Sequence, residues 1–296
     1  MRLFQTTAVL LAVGSSVWGA ADPQLLGLLM PDAKIVAGVQ LGQAKASAFG
    51  QFVLSQAGPM AELDKLKAAT GFDPRTDLTE MVAGSTGPGA GLVAGHGSFQ
   101  VGQLAALASR TGAVTENYRG ITLMGGTGAE RVAFLDGTTV VIGDGASVKA
   151  AVDRWIGGRA TGALTARAVE ISATSQAWAV AAGLSELQGK PAANAPPEAQ
   201  MMQNVLGKIG QVSGGLNFGG TITMHGQAQT GSAQDAQALA DVLRLLITMA
   251  APQAPLPVMP EVSASANNVN FTLQLTEQMA EQLFQPKGAV RGARRQ

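Results

Sequence analysis

Apolar residues at Ile35, Ala37, Val39 and Leu41 alternate with Lys34, Val36, Gly38 and Gln40, which predicts a strand. Phe49, Phe52, Val53 and Ala57 then fall on one face of a helix. Leu63 and Leu66 mark a second helix, ended by Gly71 as its C′ residue. Strands are predicted over 81–86 and 91–99, joined by Gly87-Pro88-Gly89-Ala90. A helix over 101–110 carries Leu104, Leu107 and Ala108. Residues 114–118 and 121–124 pair around Arg119-Gly120. Residues 132–135 and 138–142 flank Asp136-Gly137, which reads as a two-residue hairpin turn. The following helix sets Val148, Val152, Trp155 and Ile156 on one face.

Gly157 to Gly162 is a candidate boundary. Beyond it a strand is predicted over 177–184, around Trp178, then a proline-rich loop over 190–197. A helix from Glu198 carries Met201, Met202, Val205 and Leu206. Strands follow over 210–218 and 221–228, then an amphipathic helix over 233–249 with Leu239, Val242, Leu243, Leu246 and Ile247 facing inward. Asp241 and Arg244 argue against a membrane span there. A proline-rich linker over 252–260 precedes a hairpin over Asn267-Asn268. Thr276 caps a last helix that buries Met279, Leu283 and Phe284. The order of elements thus recurs. The fold class predicted is α+β: two related halves of antiparallel sheet with helices packed on one face, spanning 22–158 and 159–285. The tail over 286–296, with Lys287, Arg291, Arg294 and Arg295 and no acid, is expected to be disordered.

Residues 1–21 carry Arg2, an apolar stretch from Ala8 to Val13 and small residues at Gly19, Ala20 and Ala21, the pattern of a secretory signal peptide. Cleavage after Ala21 sets Gly19 and Ala21 at the small-residue positions, and cleavage after Gly19 is the alternative. The mature chain is expected to start at Ala20, Ala21 or Asp22 and to be secreted or periplasmic, with no later transmembrane segment. The apolar run falls short of the roughly 20 residues that span a bilayer.

Composition narrows the chemistry. The sequence has 296 residues, no cysteine, two histidines and a formal net charge of zero. No disulfide or thiolate metal site is possible, and no lipid-modified cysteine follows the signal. The zero net charge implies no broad basic surface, so nucleic acid is not an expected partner. Charged residues are 14%, against a usual level of about 25%, so stability must come from core burial.

Catalytic motifs are missing: no Gly-x-Ser-x-Gly elbow, Ser-x-x-Lys, His-Glu-x-x-His or Walker A loop occurs. Gly87-x-Gly89-x-Gly91 joins two strands and reads as a hairpin loop rather than a dinucleotide fingerprint. Gly125-Gly126-Thr127-Gly128 is a loop as well. Asp73, Arg75 and Asp77 form the densest polar cluster. It reads as a capped turn, with Asp73 as N-cap, Pro74 as N1 and Phe72 and Leu78 pinning it to the core. His96 and His225 are expected in corresponding strands, on an apolar and a polar face respectively, one partly buried on a backbone partner and one exposed. They are not expected to share a metal ion, which needs three or four converging ligands. Met201-Met202 reads as core, although methionine also suits an adaptable groove.

Met30-Pro31-Asp32-Ala33, the segment Thr70-Gly71-Phe72-Asp73-Pro74-Arg75-Thr76-Asp77-Leu78, Tyr118-Arg119-Gly120 and Phe134-Leu135-Asp136 together resemble a pattern in a group of uncharacterised secreted bacterial proteins. The resemblance covers mainly residues 30–156; it implies export and an α+β repeat architecture and carries over no functional residue. No catalytic, cofactor-binding or metal-ligating residue is therefore expected. The function expected is an exported, non-catalytic protein that binds a partner protein, an apolar ligand or an envelope component. The alternative is a secreted hydrolase whose site assembles only in three dimensions.

Overall fold

In the computed structural model of the chain, residues 20–56, 60–126, 128–183, 207–250 and 258–284 are described. Residues 1–19 of the predicted signal peptide, the Met201-Met202 helix, the loop over 190–197 and the basic tail lie outside them. Among the described residues twelve strands form one sheet: β1 (Ile35–Gln40), β2 (Leu78–Gly87), β3 (Ala90–Gly97), β4 (Val114–Tyr118), β5 (Ile121–Gly125), β6 (Glu130–Phe134), β7 (Thr139–Asp144), β8 (Ala177–Ala182), β9 (Ile209–Asn217), β10 (Thr221–Thr230), β11 (Glu261–Ser265) and β12 (Asn268–Thr276). Their order is β11-β12-β10-β9-β8-β1-β2-β3-β7-β6-β5-β4, and every adjacent pair is antiparallel. The fold is α+β, as the alternation predicts.

The helices that set the core are α1 (Pro23–Leu26), α2 (Leu41–Ala44), α3 (Ala48–Gln56), α4 (Met60–Thr70), α5 (Pro74–Asp77), α6 (Val101–Arg110), α7 (Gly145–Gly157), α8 (Thr165–Ser172), α9 (Ala233–Ala250) and α10 (Glu277–Phe284). Local chemistry fixes their starts. Asp144 caps α7 by accepting from the Ser147 N–H at 2.9 Å, and Asp22 caps α1 by accepting from the Gln24 N–H at 2.7 Å. The sequence pattern did not reveal α8, because only Ala168, Ile171 and Ser172 of it are buried and no apolar stripe stands out. Leu246 of α9 faces solvent instead of the core, with 43% of its surface exposed.

The turns correct two register expectations. Arg119 (φ 52°) and Gly120 (φ 86°) both adopt left-handed backbone, the requirement of a two-residue primed turn, and Tyr118 pairs directly with Ile121. Asp136-Gly137 makes no such turn. There the Asp136 carboxylate accepts from the N–H groups of Thr138 (2.7 Å) and Thr139 (2.6 Å), in a loop closed by Leu135 N–H on Thr139 O at 2.9 Å. The last hairpin turns over Ala266 (φ 50°) and Asn267, since Ser265 pairs with Asn268.

The register assigns the two faces of the sheet. Val36 pairs with Val180, Val180 with Ser213, Ser213 with Gln227 and Gln227 with Asn270, so all five share one face. On β1, β2, β3, β7 and β8 this face is apolar. Val36, Val82, Leu92, Ala94, Val141 and Val180 are buried there against Leu25, Leu28, Val148, Val152 and Ile171, residues in or beside α1, α7 and α8. On β9, β10 and β12 the same face is polar, and the core passes to the other side. Ile222, Leu273 and Leu275 pack there with Phe49 and Ala280, and Val269 packs with Ala236, Leu239 and Ala240 of α9. Each half therefore has its main helix-covered core on one face, and the two cores lie on opposite faces.

The halves meet at the β1–β8 pair. Outward from it the order is β1-β2-β3-β7-β6 on one side and β8-β9-β10-β12-β11 on the other. Trp178 lies across this seam. A Cβ on Gly38, its partner on β1, would sit 2.5 Å from the indole Cζ2, so only glycine admits the ring.

Candidate functional site

The Asp73 cluster is structural. The Asp73 carboxylate accepts from the Arg75 backbone N–H at 3.0 Å and from the Arg75 guanidinium at 2.7 and 2.9 Å, and Lys67 approaches to 3.2 Å. The Asp77 carboxylate accepts from the Asp73 N–H at 2.7 Å, and the Phe72 ring stands 5.3 Å from that of Phe99. The hydrogen bonds from Arg75 hold the Asp73 carboxyl well below the usual carboxylate range. Its folded pKa is thus depressed, and its contribution to stability is full above the unfolded value of about 3.9 and is lost as pH falls below it. Asp73→Asn keeps a capping side chain and removes the charge. It is expected to cost about 1–2 kcal/mol at pH 7 and to flatten the loss of stability on acidification, measured by urea unfolding between pH 7 and pH 3.

Both histidines are half-buried and both have side-chain partners, in place of one backbone-bonded and one exposed ring. His96 Nδ1 lies 3.3 Å from Asp22 Oδ2, an acid remote in sequence. Beside it Glu80, 8% exposed, accepts from the Asp22 N–H at 2.9 Å, and burial pushes the Glu80 carboxyl up. His225 Nε2 lies 3.1 Å from Ser175 Oγ. Burial, together with the nearby Arg167 guanidinium, pushes the His225 imidazole down. The two strands are five apart in the sheet. At the usual strand spacing that is about 24 Å, too far to share an ion. Among the described residues no group of three or more His, Asp or Glu could hold a metal.

The Ser175–His225 contact is the arrangement nearest to a nucleophile and base. A reactive serine needs an accessible oxygen and a base whose cation is stabilised by a third group. Ser175 is 1% exposed. The charge that acts on His225 is the Arg167 cation, which opposes imidazolium formation. The contact exists because Gly215 faces it: a Cβ there would fall 2.7 Å from His225 Nε2 and closer still to Ser175 Oγ.

The polar face of β9, β10 and β12 holds a cleft of about 220 Å³ lined by Arg167, Gln211, Ser213, Gln227, Gln229 and Asn268. Arg167 donates to Ser213 Oγ at 3.0 Å and Gln227 Oε1 at 3.1 Å and pairs with Glu170 at 2.8 Å. All the guanidinium nitrogens are thus engaged within the chain, as in a solvated face tied to α8.

The opposite face offers a different surface. One register row crosses every strand from β11 to β5: Val262, Phe271, Gly226, Gly214, Ala179, Ala37, Ala83, Val93, Ile142, Val132 and Met124. Every member is apolar or glycine. At the β11–β12 end, α9 and α10 cover it. Across β8, β1, β2, β3 and β7 the row is accessible among the described residues: Ala179 is exposed, Ala37, Ala83 and Val93 are partly exposed, and Ile142 and the neighbouring Ile35 are 38% and 37% exposed. The sequence pattern missed this band. Period-two alternation identifies a strand with one buried face, but here the residues of both faces are apolar, and only the register shows which face is the more accessible among the described residues.

No protein-family model matches the chain, and no curated protein matches it. Solved structures do. Crystal form IV of TP0453 superposes with a TM-score of 0.55 at 12% identity, over 91% of this chain and 99% of that one. This chain is similar in fold to TP0453. Crystal form I gives 0.53 at 12% identity over 88% and 95% of the two chains, and crystal form III gives 0.53 at 13% over 87% and 96%. At such identity the likeness to TP0453 concerns the fold alone.

Proposed function

We propose that this chain is an exported, non-catalytic binding protein that receives a partner protein on the open apolar band of β8, β1, β2, β3 and β7. The observation that carries this is the single apolar register row, helix-covered at the β11–β12 end and, among the described residues, accessible across β8, β1, β2, β3 and β7. Contiguous exposed apolar surface on a soluble protein marks an interaction site. The band is a sheet face rather than a concave pocket, so it suits another protein better than a small apolar ligand, which needs enclosure. On the same row the chain's own solution is an amphipathic helix, α9. The partner accordingly presents an amphipathic helix. The matching strand order on either side of the β1–β8 pair supports a duplicated half as the origin of the sheet. Export rests on the N-terminal sequence pattern.

Site-specific photo-crosslinking from positions 37, 83 and 179 in the native host tests the reading, with position 227 on the polar face as control. Crosslinks should converge on one helix of one protein from the band and be absent from position 227. Ala83→Glu should leave the melting temperature within about 2 °C and weaken the complex about 100-fold, because it buries an unpaired carboxylate. Equal crosslinking from both faces would overturn the proposal.

A further inference from the structure

Where the signal peptide ends is decided by Ala21. Ala20 is exposed, whereas Ala21 has 0% of its surface exposed and packs in the main core with Leu25 and Leu28. The Ala21 N–H donates to the buried Ser172 Oγ at 2.8 Å, which fastens the start of the chain to α8, far away in sequence. The next N–H, of Asp22, is held by Glu80 at 2.9 Å. Ala21 therefore behaves as a residue of the folded protein and not as the end of a leader.

We infer that processing cuts immediately before Ala20, so that the mature chain begins Ala20-Ala21-Asp22; this rests on the export reading above. The small-residue pattern admits two bonds, after Gly19 and after Ala21. A cut after Ala21 would remove a core methyl and the hydrogen bond to Ser172. A cut between Ala20 and Ala21 would bury the ammonium outright and would place Trp18 at the outer small-residue position. Of the three starts, only Ala20 keeps every contact and leaves the new charge in water.

N-terminal sequencing and intact mass of protein from the native host test this. A start at Ala20 is expected. A start at Ala21 or Asp22 overturns the inference and leaves the export reading standing; a retained Met1 overturns both. As a second measurement, chains beginning at Ala20 and at Asp22 are released from a cleavable tag and melted. The Ala20 chain is expected to melt about 3–6 °C higher. An equal or higher melting temperature for the Asp22 chain would overturn the inference.

Discussion

Trp178→Ala is expected to destabilise the protein by about 3–5 kcal/mol, the usual cost of deleting a buried aromatic side chain. The indole is 4% exposed and lies in the first half's core although it belongs to the second half's first strand. It fills the space above Gly38 that no side chain on β1 could share. Gly38→Ala should be severe for the converse reason, since the new methyl meets the indole while the strand is held on both sides by β2 and β8. The two changes should be far from additive: Gly38→Ala in the Trp178→Leu background should cost less than alone, because the obstructing ring is gone. Urea unfolding of the four proteins, followed by circular dichroism, measures the coupling. Strict additivity would show that the ring does not pack on Gly38.

The second prediction contrasts two positions on one face of the sheet. Val82, 1% exposed, pairs with Gly38; Ser213, 4% exposed, pairs with Val180. Val82→Asp places a carboxylate among the apolar side chains of the main core, and is expected to cost more than about 4 kcal/mol, enough to unfold a marginally stable chain. Ser213→Asp introduces the same group at nearly the same exposure, yet the Arg167 Nε stands 3.0 Å from the Ser213 oxygen. Its cost should stay below about 1 kcal/mol. Expression as soluble protein and thermal melting read both outcomes. Similar losses at the two positions would refute the assignment of faces drawn from the register.

Particular residues show what the sequence could and could not convey. The Asp73-Pro74 turn and the α7 helix were legible because each rests on contacts a few residues apart, and the strand around Trp178 was legible from its apolar run although its partners lie on β1 and β9. Turn positions were less so: Asp136-Gly137 has the composition of a primed turn, but the Asp136 carboxylate captures the Thr138 and Thr139 amides and draws the chain into a longer loop. The Arg119-Gly120 turn carries a weaker composition and the required geometry. The open apolar band was invisible because it is made by register between strands distant in sequence. The Asp22–His96 and Ser175–His225 contacts were invisible for the same reason. No local signal names the partner of a side chain on another strand.

The β1–β8 seam also sets the order in which the molecule can be built. Ala37 finds Ala179 only after β2 to β7 and the helices up to α8 have been made. Closing so long a loop is entropically slow, and topologies dominated by such pairings fold slowly. Until β8 arrives, β1 presents a bare edge of amides and carbonyls in a chain synthesised from its N-terminus. The half-made protein is thus most exposed to mispairing at Ile35–Gln40, and a holding factor that binds extended strands would act during that interval.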